Sequence, residues 1–273
     1  MMINAILIAL IILIVLFVLY IFSTRCRKGH SDLAALRGWN YTHRGLHSDD
    51  APENSLEAFR RAVNAGYGSE LDVHLLADGR LAVIHDSLLK RVCNKEGRIE
   101  DLTSEELSDC YIKGTEYTVP LFTDVLKVYD GNAPLIVEIK AYNNVNALCE
   151  KVAEVLDRYN GAFCVESFDP RCVYWFRKHR PQYIRGQLTE NYFCYKNSPV
   201  PGVLKMLLYA VVFNFMTLPD FVAYRYAHRK HFSHYLCRKL WKADSVTWTL
   251  VSKEEYDIAV SEGMIPIFEG FVP

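Results

Sequence analysis

Three carboxylates in the first half of the chain have the spacing of a metal site. Glu70 and Asp72 lie two residues apart in an apolar run, and such residues point to the same face of a strand. Neighbouring carboxylates repel each other unless a cation or a proton lies between them. Glu138 ends another apolar run and offers a third oxygen donor, which predicts a Mg²⁺ or Ca²⁺ site completed by water or substrate oxygens. Taken alone, Glu70-x-Asp72 is more typical of a solvated strand end.

Two histidines and two cations follow apolar runs in the same part of the chain. A lone histidine at such a place is usually structural, but His43 and His85 occur together with the predicted metal ligands. One imidazole could take a proton from a nucleophile while the other gives a proton to a leaving oxygen. Arg44 and Lys140 carry charges that suit phosphate oxygens. These residue types together indicate metal-assisted cleavage of a phosphate ester.

Strand and helix patterns alternate from residue 39 to the end of the chain, with a helix start capped by Asn54 or Ser55. About eight core strands, with a return strand at residues 81–84, predict an α/β fold whose parallel strands close into a (β/α)8 TIM barrel. An open doubly wound sheet is the alternative, but no Gly-x-Gly-x-x-Gly follows the first strand. The expected core strands are residues 39–42, 69–75, 134–139, 162–165, 183–187, 221–224, 246–249 and 265–268.

Two segments are longer than a strand-to-helix connection requires. Residues 87–132 form a predicted small insertion after the second strand region, with a short helix capped near Thr103 and another at residues 121–129. Residues 190–242 contain an apolar run at 203–213 and then a basic stretch, and residues 221–243 include no acidic side chain. The apolar run is either a buried outer helix or a lip that dips into a membrane, and the basic stretch is either solvated surface or a face for anionic lipid.

The first 24 residues are expected to lie outside the barrel domain, which occupies residues 37–273. Residues 3–22 are apolar apart from Asn4 and Tyr20 and are long enough for one transmembrane helix. A cleaved signal peptide is the alternative, but no basic residue precedes the run and no small-residue cleavage site follows it. Residues 25–36 are predicted as a polar linker, and their first cations, Arg25, Arg27 and Lys28, favour a cytoplasmic barrel on a single-pass N-terminal membrane anchor.

Composition narrows the possible partners. The chain has 273 residues and a formal net charge of -1, which fits one large domain and gives no support for nucleic acid as a partner. Its eight cysteines include no Cys-x-x-Cys pair, so a zinc site is not predicted and reduced, mostly buried thiols are expected.

The motifs as a set resemble those of the glycerophosphodiester phosphodiesterase family, over about residues 39–250. The resemblance implies a barrel with an insertion after the second strand region. It also implies that Glu70, Asp72 and Glu138 bind the metal and that His43 and His85 are the acid–base pair. Ser167-Phe168 and Trp248-Thr249 match later family positions, which places Trp248 in the substrate pocket. The motifs that carry the resemblance are His43-Arg44-Gly45, Pro52-Glu53-Asn54-Ser55, Glu70-x-Asp72-Val73, Asp78-Gly79, His85-Asp86 and Glu138-Ile139-Lys140.

The resemblance implies hydrolysis of glycerophosphodiesters to sn-glycerol 3-phosphate and an alcohol at or near a membrane. The expected course is attack by the glycerol 2-hydroxyl and opening of a cyclic phosphate by water. A lysophospholipase D that uses the same site on lysolipids is one alternative, and an inactive membrane-anchored scaffold or binding barrel is another. No functional residue is assigned after residue 262, where the family's closing pattern is missing, and Glu166 and Gln187 are placed only near the barrel mouth.

Overall fold

Eight parallel strands form a closed barrel in the computed structural model, which describes residues 2–195 and 200–273. These eight strands and the additional strand β3 are β1 (Tyr41–His43), β2 (Gly68–Leu75), β3 (Leu81–Val83), β4 (Leu135–Ile139), β5 (Phe163–Ser167), β6 (Arg185–Thr189), β7 (Phe221–Arg225), β8 (Asp244–Leu250) and β9 (Ile265–Phe268). The barrel order is β1-β2-β4-β5-β6-β7-β8-β9, and β9 pairs with β1 to close it. The predicted (β/α)8 barrel is therefore confirmed. β3 is the predicted return strand and pairs antiparallel with β2.

Helices cover the outside of the barrel between successive strands. The first helix, α1 (Met2–Ser23), precedes the barrel, and the others are α2 (Leu56–Asn64), α3 (Lys90–Cys93), α4 (Phe122–Tyr129), α5 (Val145–Leu156), α6 (Pro170–His179), α7 (Gly202–Tyr209), α8 (Asn214–Thr217), α9 (Phe232–Tyr235) and α10 (Lys253–Ser261). Each strand is covered by helices on its outer face and by the side chains that fill the barrel on its inner face. For this reason β2 and β4 are almost continuously buried.

The barrel interior is filled by large side chains that need a small neighbour. Tyr41, Ile136, Phe221 and Val246 belong to one buried cluster inside it. A Cβ on Gly186 would lie 2.0 Å from the Phe221 ring, so glycine makes room for the aromatic ring in this layer. The lower interior is thus a packed core, and the site has to lie at the carboxyl ends of the strands.

The predicted insertion has its own small core, and its last part belongs to the barrel. Residues up to Leu121 form α3, three 3₁₀ turns and a cluster that includes Leu89, Ile99 and Val119. The predicted helix near Thr103 is a 3₁₀ turn, Glu106–Asp109, and the Thr103 backbone N–H donates to Glu106 over 2.7 Å. α4 then packs against α2 and leads into β4, so it is the crossover helix of the barrel.

Residues 25–36 are not the free polar linker that their composition predicted. Leu33 and Leu36 are buried in the cluster that fills the barrel interior, where they close its amino-terminal end. Arg27 forms a bidentate ion pair with Asp220, through 2.5 Å contacts from Nε and Nη2. Apolar side chains are needed to close this end of the barrel. The residues that do so are not arranged in a periodic pattern, so the sequence alone did not predict their burial.

The apolar run at residues 203–213 is not a buried outer helix. α7 covers only its first part, none of the residues of α7 is buried, and Val203 is 69% exposed. The basic stretch that follows contains α9 and a π-helical turn, Leu236–Leu240, and its lysines at 230, 239 and 242 are exposed. Helix α1 has 22 residues, a mean hydropathy of 3.5 and no buried residue, so it is long and apolar enough to cross a bilayer.

Candidate functional site

Three buried carboxylates converge at the carboxyl ends of β2 and β4. Asp72 lies directly opposite Glu138 in the strand register, and Glu70 points to the same face of β2. One oxygen from each carboxylate lies within 4.8 Å of the other two, and all three residues are buried. The two-residue spacing therefore brings together the donors that a hard divalent cation prefers.

The backbone just after β1, β3 and β4 is tied to β2. The N–H groups of Arg44, Ile84 and Lys140 donate to β2 carbonyl oxygens over 3.0, 3.1 and 3.1 Å. These bonds extend the pairing of the three strands beyond their last residues. His43 and His85 each lie beside one of these bonds, which fixes both imidazoles around the carboxylate cluster.

Two cations hold the carboxylate cluster together. The Lys140 ammonium lies 2.9 Å from Asp72 Oδ1 and 2.7 Å from Glu138 Oε1. Arg44 Nε lies 3.4 Å from Asp72 Oδ2, and the Arg44 backbone N–H donates to Glu70 Oε2 over 3.3 Å. Asn54 Nδ2 also donates to Asp72 Oδ2, over 2.9 Å. Of the two predicted helix caps, Ser55 caps α2, whereas Asn54 supports the cluster.

The electrostatics of the cluster fit a bound cation. Burial, and then the charges of the neighbouring carboxylates, raise the pKa of Glu70 well above its usual value. Burial also raises the pKa of Glu138. Burial opposes ionisation of Asp72 as well, but Lys140, His85 and Arg44 hold the pKa of Asp72 well below its usual value. A divalent cation would offset the repulsion that these buried anions exert on one another.

His43 is held by a carboxylate from the end of the chain. Its Nδ1 donates to Glu269 Oε2 over 2.5 Å, and its Nε2 faces Glu70 Oε2 at 3.9 Å. Burial lowers the pKa of His43, although the bond to Glu269 opposes this. Hydrogen bonds from His43 and His47 in turn lower the pKa of Glu269. Sequence reasoning missed Glu269, and its position one residue after β9 is the signal that could have found it.

His85 has the same kind of partner from its own loop. Its Nδ1 donates to Asp86 Oδ1 over 2.5 Å, and Arg91 Nε holds the other Asp86 oxygen over 2.6 Å. His74 Nε2 donates to the His85 carbonyl oxygen over 3.2 Å, which fixes the backbone of the loop. Each imidazole therefore has Nδ1 bonded to a carboxylate, and both rings line the same cavity.

The His43-Arg44-Gly45 turn needs its glycine. Gly45 has a φ of 83°, and a Cβ at this position would lie 2.8 Å from Ala58 Cβ in α2. Close approach to α2 brings Glu53 beside Arg44, with 3.0 Å between Arg44 Nη1 and Glu53 Oε1. Burial alone would raise the pKa of Glu53, but its bond with Arg91 and the nearby cations lower it to about 2. Glu53 is thus an ionised carboxylate that orients Arg44 through their ion pair.

A cavity of about 590 Å³ opens from the cluster to the surface. Phe168 and Trp248 line it with an edge-to-face contact at a 5.6 Å centroid separation, and Trp248 Nε1 has no hydrogen-bond partner within residues 2–195 and 200–273. Glu166 also lines the cavity opposite Glu138, and burial raises the pKa of Glu166 well above its usual value. Six of the eight predicted site residues line this cavity: His43, Arg44, Glu70, His85, Glu138 and Trp248.

The remaining two predicted residues, Asp72 and Lys140, contact residues that line the cavity. Asp72 and Lys140 contact each other, and Lys140 also contacts Glu138, as described above. The structure thus brings all eight predicted residues to one end of the barrel, and their individual roles remain predictions. Gln187, which lacked a predicted role, donates to the Ser167 carbonyl oxygen over 3.0 Å and holds the backbone before Phe168.

Comparisons with known proteins agree with this arrangement. Residues 43–225 match the model of the glycerophosphoryl diester phosphodiesterase family. A glycerophosphodiester phosphodiesterase from Bacillus altitudinis is 34% identical over 161 residues, which cover 55% of this chain and 65% of the relative. A human lysophospholipase D is 34% identical over 132 residues, 44% of this chain and 41% of that protein. The matched segments thus span less than two thirds of either relative.

The fold has close relatives among solved structures. One is a phosphodiesterase from Oleispira antarctica in complex with the product sn-glycerol-3-phosphate, with a TM-score of 0.66 and 19% sequence identity. The superposition covers 85% of this chain and 92% of that one. At this identity the likeness shows that the two chains have the same fold.

Proposed function

Because this chain belongs to the glycerophosphoryl diester phosphodiesterase family, we propose that it hydrolyses glycerophosphodiesters to sn-glycerol 3-phosphate and an alcohol. One observation carries the proposal. Two imidazoles, each bonded through Nδ1 to a carboxylate, flank a buried cluster of three carboxylates at the base of one cavity. The cavity is large enough for a small phosphodiester and its polar end is the carboxylate cluster.

In the proposed reaction the two histidines move protons and the cations bind the phosphate. His43 and His85 divide the roles of accepting a proton from the attacking glycerol 2-hydroxyl and donating one to the leaving oxygen. Lys140 and Arg44 contact phosphate oxygens once substrate enters. Glu70, Asp72 and Glu138 would hold Mg²⁺ or Ca²⁺, which when bound supplies positive charge against the charge that develops on the phosphate.

Carboxamide variants of the cluster test this proposal. Asp72→Asn and Glu138→Gln retain the side-chain size, so the chain should fold while release of sn-glycerol 3-phosphate from glycerophosphocholine falls at least a hundredfold, or about 2.7 kcal/mol. Chelation should abolish turnover of the unsubstituted protein, and addition of Mg²⁺ and Ca²⁺ in turn identifies the metal. Near-normal activity of either variant, with an unchanged thermal midpoint, would contradict the metal assignment.

Two alternatives lead to different results in the same assay. A lysophospholipase D, the activity named for the human relative, would release a lysophosphatidic acid from a lysophospholipid. An inactive scaffold would release nothing from either substrate. The convergence of three carboxylates and two imidazoles at one end of the barrel favours an enzyme over the scaffold.

The proposed location is a membrane, with α1 as a single-pass anchor. Four contacts fix the end of α1 against the domain. Phe17 and Tyr20 lie against Phe232 at ring-centroid separations of 6.3 and 6.4 Å. Phe22 lies against Trp241 at 6.1 Å, and Trp241 Nε1 donates to Thr24 over 3.0 Å. Aromatic side chains of this kind are enriched at membrane interfaces.

The barrel is proposed to face the cytoplasm, because Arg25, Arg27 and Lys28 directly follow α1. Membrane association is tested by alkaline extraction of the full chain, which should leave an integral protein in the pellet. A reporter that works only in the cytoplasm should be active when it is fused to the C-terminus. Activity of a fused reporter that works only on the outer side of the membrane would reverse the orientation.

A further inference from the structure

A second cavity, of about 670 Å³, lies beside the active-site cavity and is almost entirely apolar. It is formed between α6, α7 and α8, and we call it the side cleft. Its charged side chains, Asp169 and Arg171, pair with each other at 2.6 Å. The charged groups are thus already neutralised, which leaves apolar contact as the main binding force. The apolar lining consists of Phe168, Tyr192, Leu204, Leu208, Phe213 and Met216.

Phe168 separates the two cavities and lines both of them. Its ring lies 5.6 Å from Trp248 on the active-site side and 6.3 Å from Tyr192 on the side of the cleft. A molecule whose phosphate lies at the carboxylate cluster therefore has to pass only one aromatic ring to enter the side cleft. The occupant must combine a phosphodiester with an apolar chain.

Building on the proposed hydrolysis, we propose that the side cleft binds the acyl chain of a monoacyl glycerophosphodiester, so that the substrate class is lysophospholipid. One acyl chain matches one narrow apolar cleft, and each buried methylene contributes about 0.8 kcal/mol. The glycerophosphodiester part remains at the carboxylate cluster. A water-soluble diester lacks the chain and leaves the cleft unused.

The side cleft lies on the side of the domain that the anchor brings to the membrane. Residues 17–22 of α1 run alongside the domain for about 8 Å at 1.5 Å per residue. The apolar run of α1 is only as long as the hydrocarbon core, so the surface it touches lies at the interface. That surface includes Phe232, which stacks on Phe17 of α1, and also α8, which contacts α1 and lines the side cleft.

The rim of the side cleft is apolar on its outer surface as well. Val203 and Met206 of α7 are 69% and 55% exposed, and Phe215 of α8 is 51% exposed. Exposed apolar groups next to a membrane helix are typical of segments that enter the interface by about 5–10 Å. An acyl chain in the bilayer could therefore enter the side cleft without being exposed to solvent.

The test compares two substrates and two variants of the full chain in phospholipid nanodiscs. Glycerophosphocholine and 1-octanoyl-lysophosphatidylcholine, the latter kept below its micellar concentration, differ only in the acyl chain. Leu204→Glu places a charge on the cleft wall, and Val260→Glu places the same charge on the exposed face of α10, outside both cavities. We expect Leu204→Glu to lower kcat/KM for the lysolipid at least tenfold while kcat/KM for glycerophosphocholine stays within twofold, and Val260→Glu to change neither value.

Binding is measured separately from turnover. A dansyl-labelled octanoyl lysolipid should bind the Asp72→Asn protein, and Leu204→Glu in that background should weaken the binding at least tenfold. Equal losses on both substrates, an unaffected lysolipid rate in Leu204→Glu, or no preference of the unsubstituted enzyme for the acylated substrate would overturn the proposal. These outcomes leave the proposed function intact as long as glycerophosphocholine is cleaved, whereas loss of turnover of both diesters refutes the proposed function itself.

Discussion

Glu269 is the residue whose replacement tests most directly how His43 is positioned. Its carboxylate accepts the His43 Nδ1 proton over 2.5 Å and approaches His47 Nε2 at 3.4 Å. Glu269→Gln retains the size of the side chain and an acceptor oxygen but removes the negative charge. The imidazole then loses the charge that favours its protonated form and the fixed orientation of its Nε2.

The size of the expected effect follows from the exposure of this pair. A hydrogen bond to a charged group contributes about 1.5–3 kcal/mol, and the Glu269 side chain is 34% exposed, so solvent screening reduces the contribution toward the lower end. A loss of about 1.5–2 kcal/mol corresponds to a ten- to thirtyfold decrease in kcat. KM should change little, because Glu269 does not contact the phosphate-binding cations.

The assay is steady-state hydrolysis of glycerophosphocholine by the full chain, with kcat and KM determined separately. Glu255→Gln is the matched control: Glu255 also lines the active-site cavity, but its carboxylate accepts the Val251 N–H at the start of α10, a bond that glutamine can keep. The control should stay within twofold of the unsubstituted protein. If Glu269→Gln also keeps kcat within twofold, Glu269 does not position His43.

Three further predictions concern stability, each measured by urea unfolding. Gly45→Ala should cost about 2 kcal/mol or more, because its Cβ would lie 2.8 Å from a neighbouring methyl group and its φ is 83°. Arg27→Gln should cost about 3 kcal/mol because the buried Asp220 carboxylate loses its guanidinium partner, whereas Arg25→Gln should stay within about 0.5 kcal/mol. Burial lowers the pKa of His234 to about 4, so the unfolded chain binds more protons than the folded protein between pH 6.5 and 4. The free energy of unfolding should therefore fall by about 3 kcal/mol as the pH is lowered over that range. The His234→Gln variant should lose this pH dependence, and an equal slope in both proteins would contradict the assignment.

Local patterns in the sequence determined the strands and most of the cluster. Residues two apart in a strand share a face whatever the rest of the chain does, so the sequence alone sufficed to pair Glu70 with Asp72. Parallel strands in a closed barrel bring their carboxyl ends together, and for this reason Glu138 and the two histidines could be expected nearby. The length and apolar composition of α1 were equally local properties.

Contacts between distant segments were decided only by the tertiary structure. Glu269 meets His43 across 226 residues because β9 closes the barrel against β1, and closure has no local sequence pattern. Leu33 plugs the barrel although its neighbours look like a polar linker, since burial there depends on the shape of the barrel end. The environment of the apolar run that begins in α7 could not be predicted from composition alone. Hydrophobic side chains indicate that a surface will be covered, but only the fold shows whether the protein core covers it.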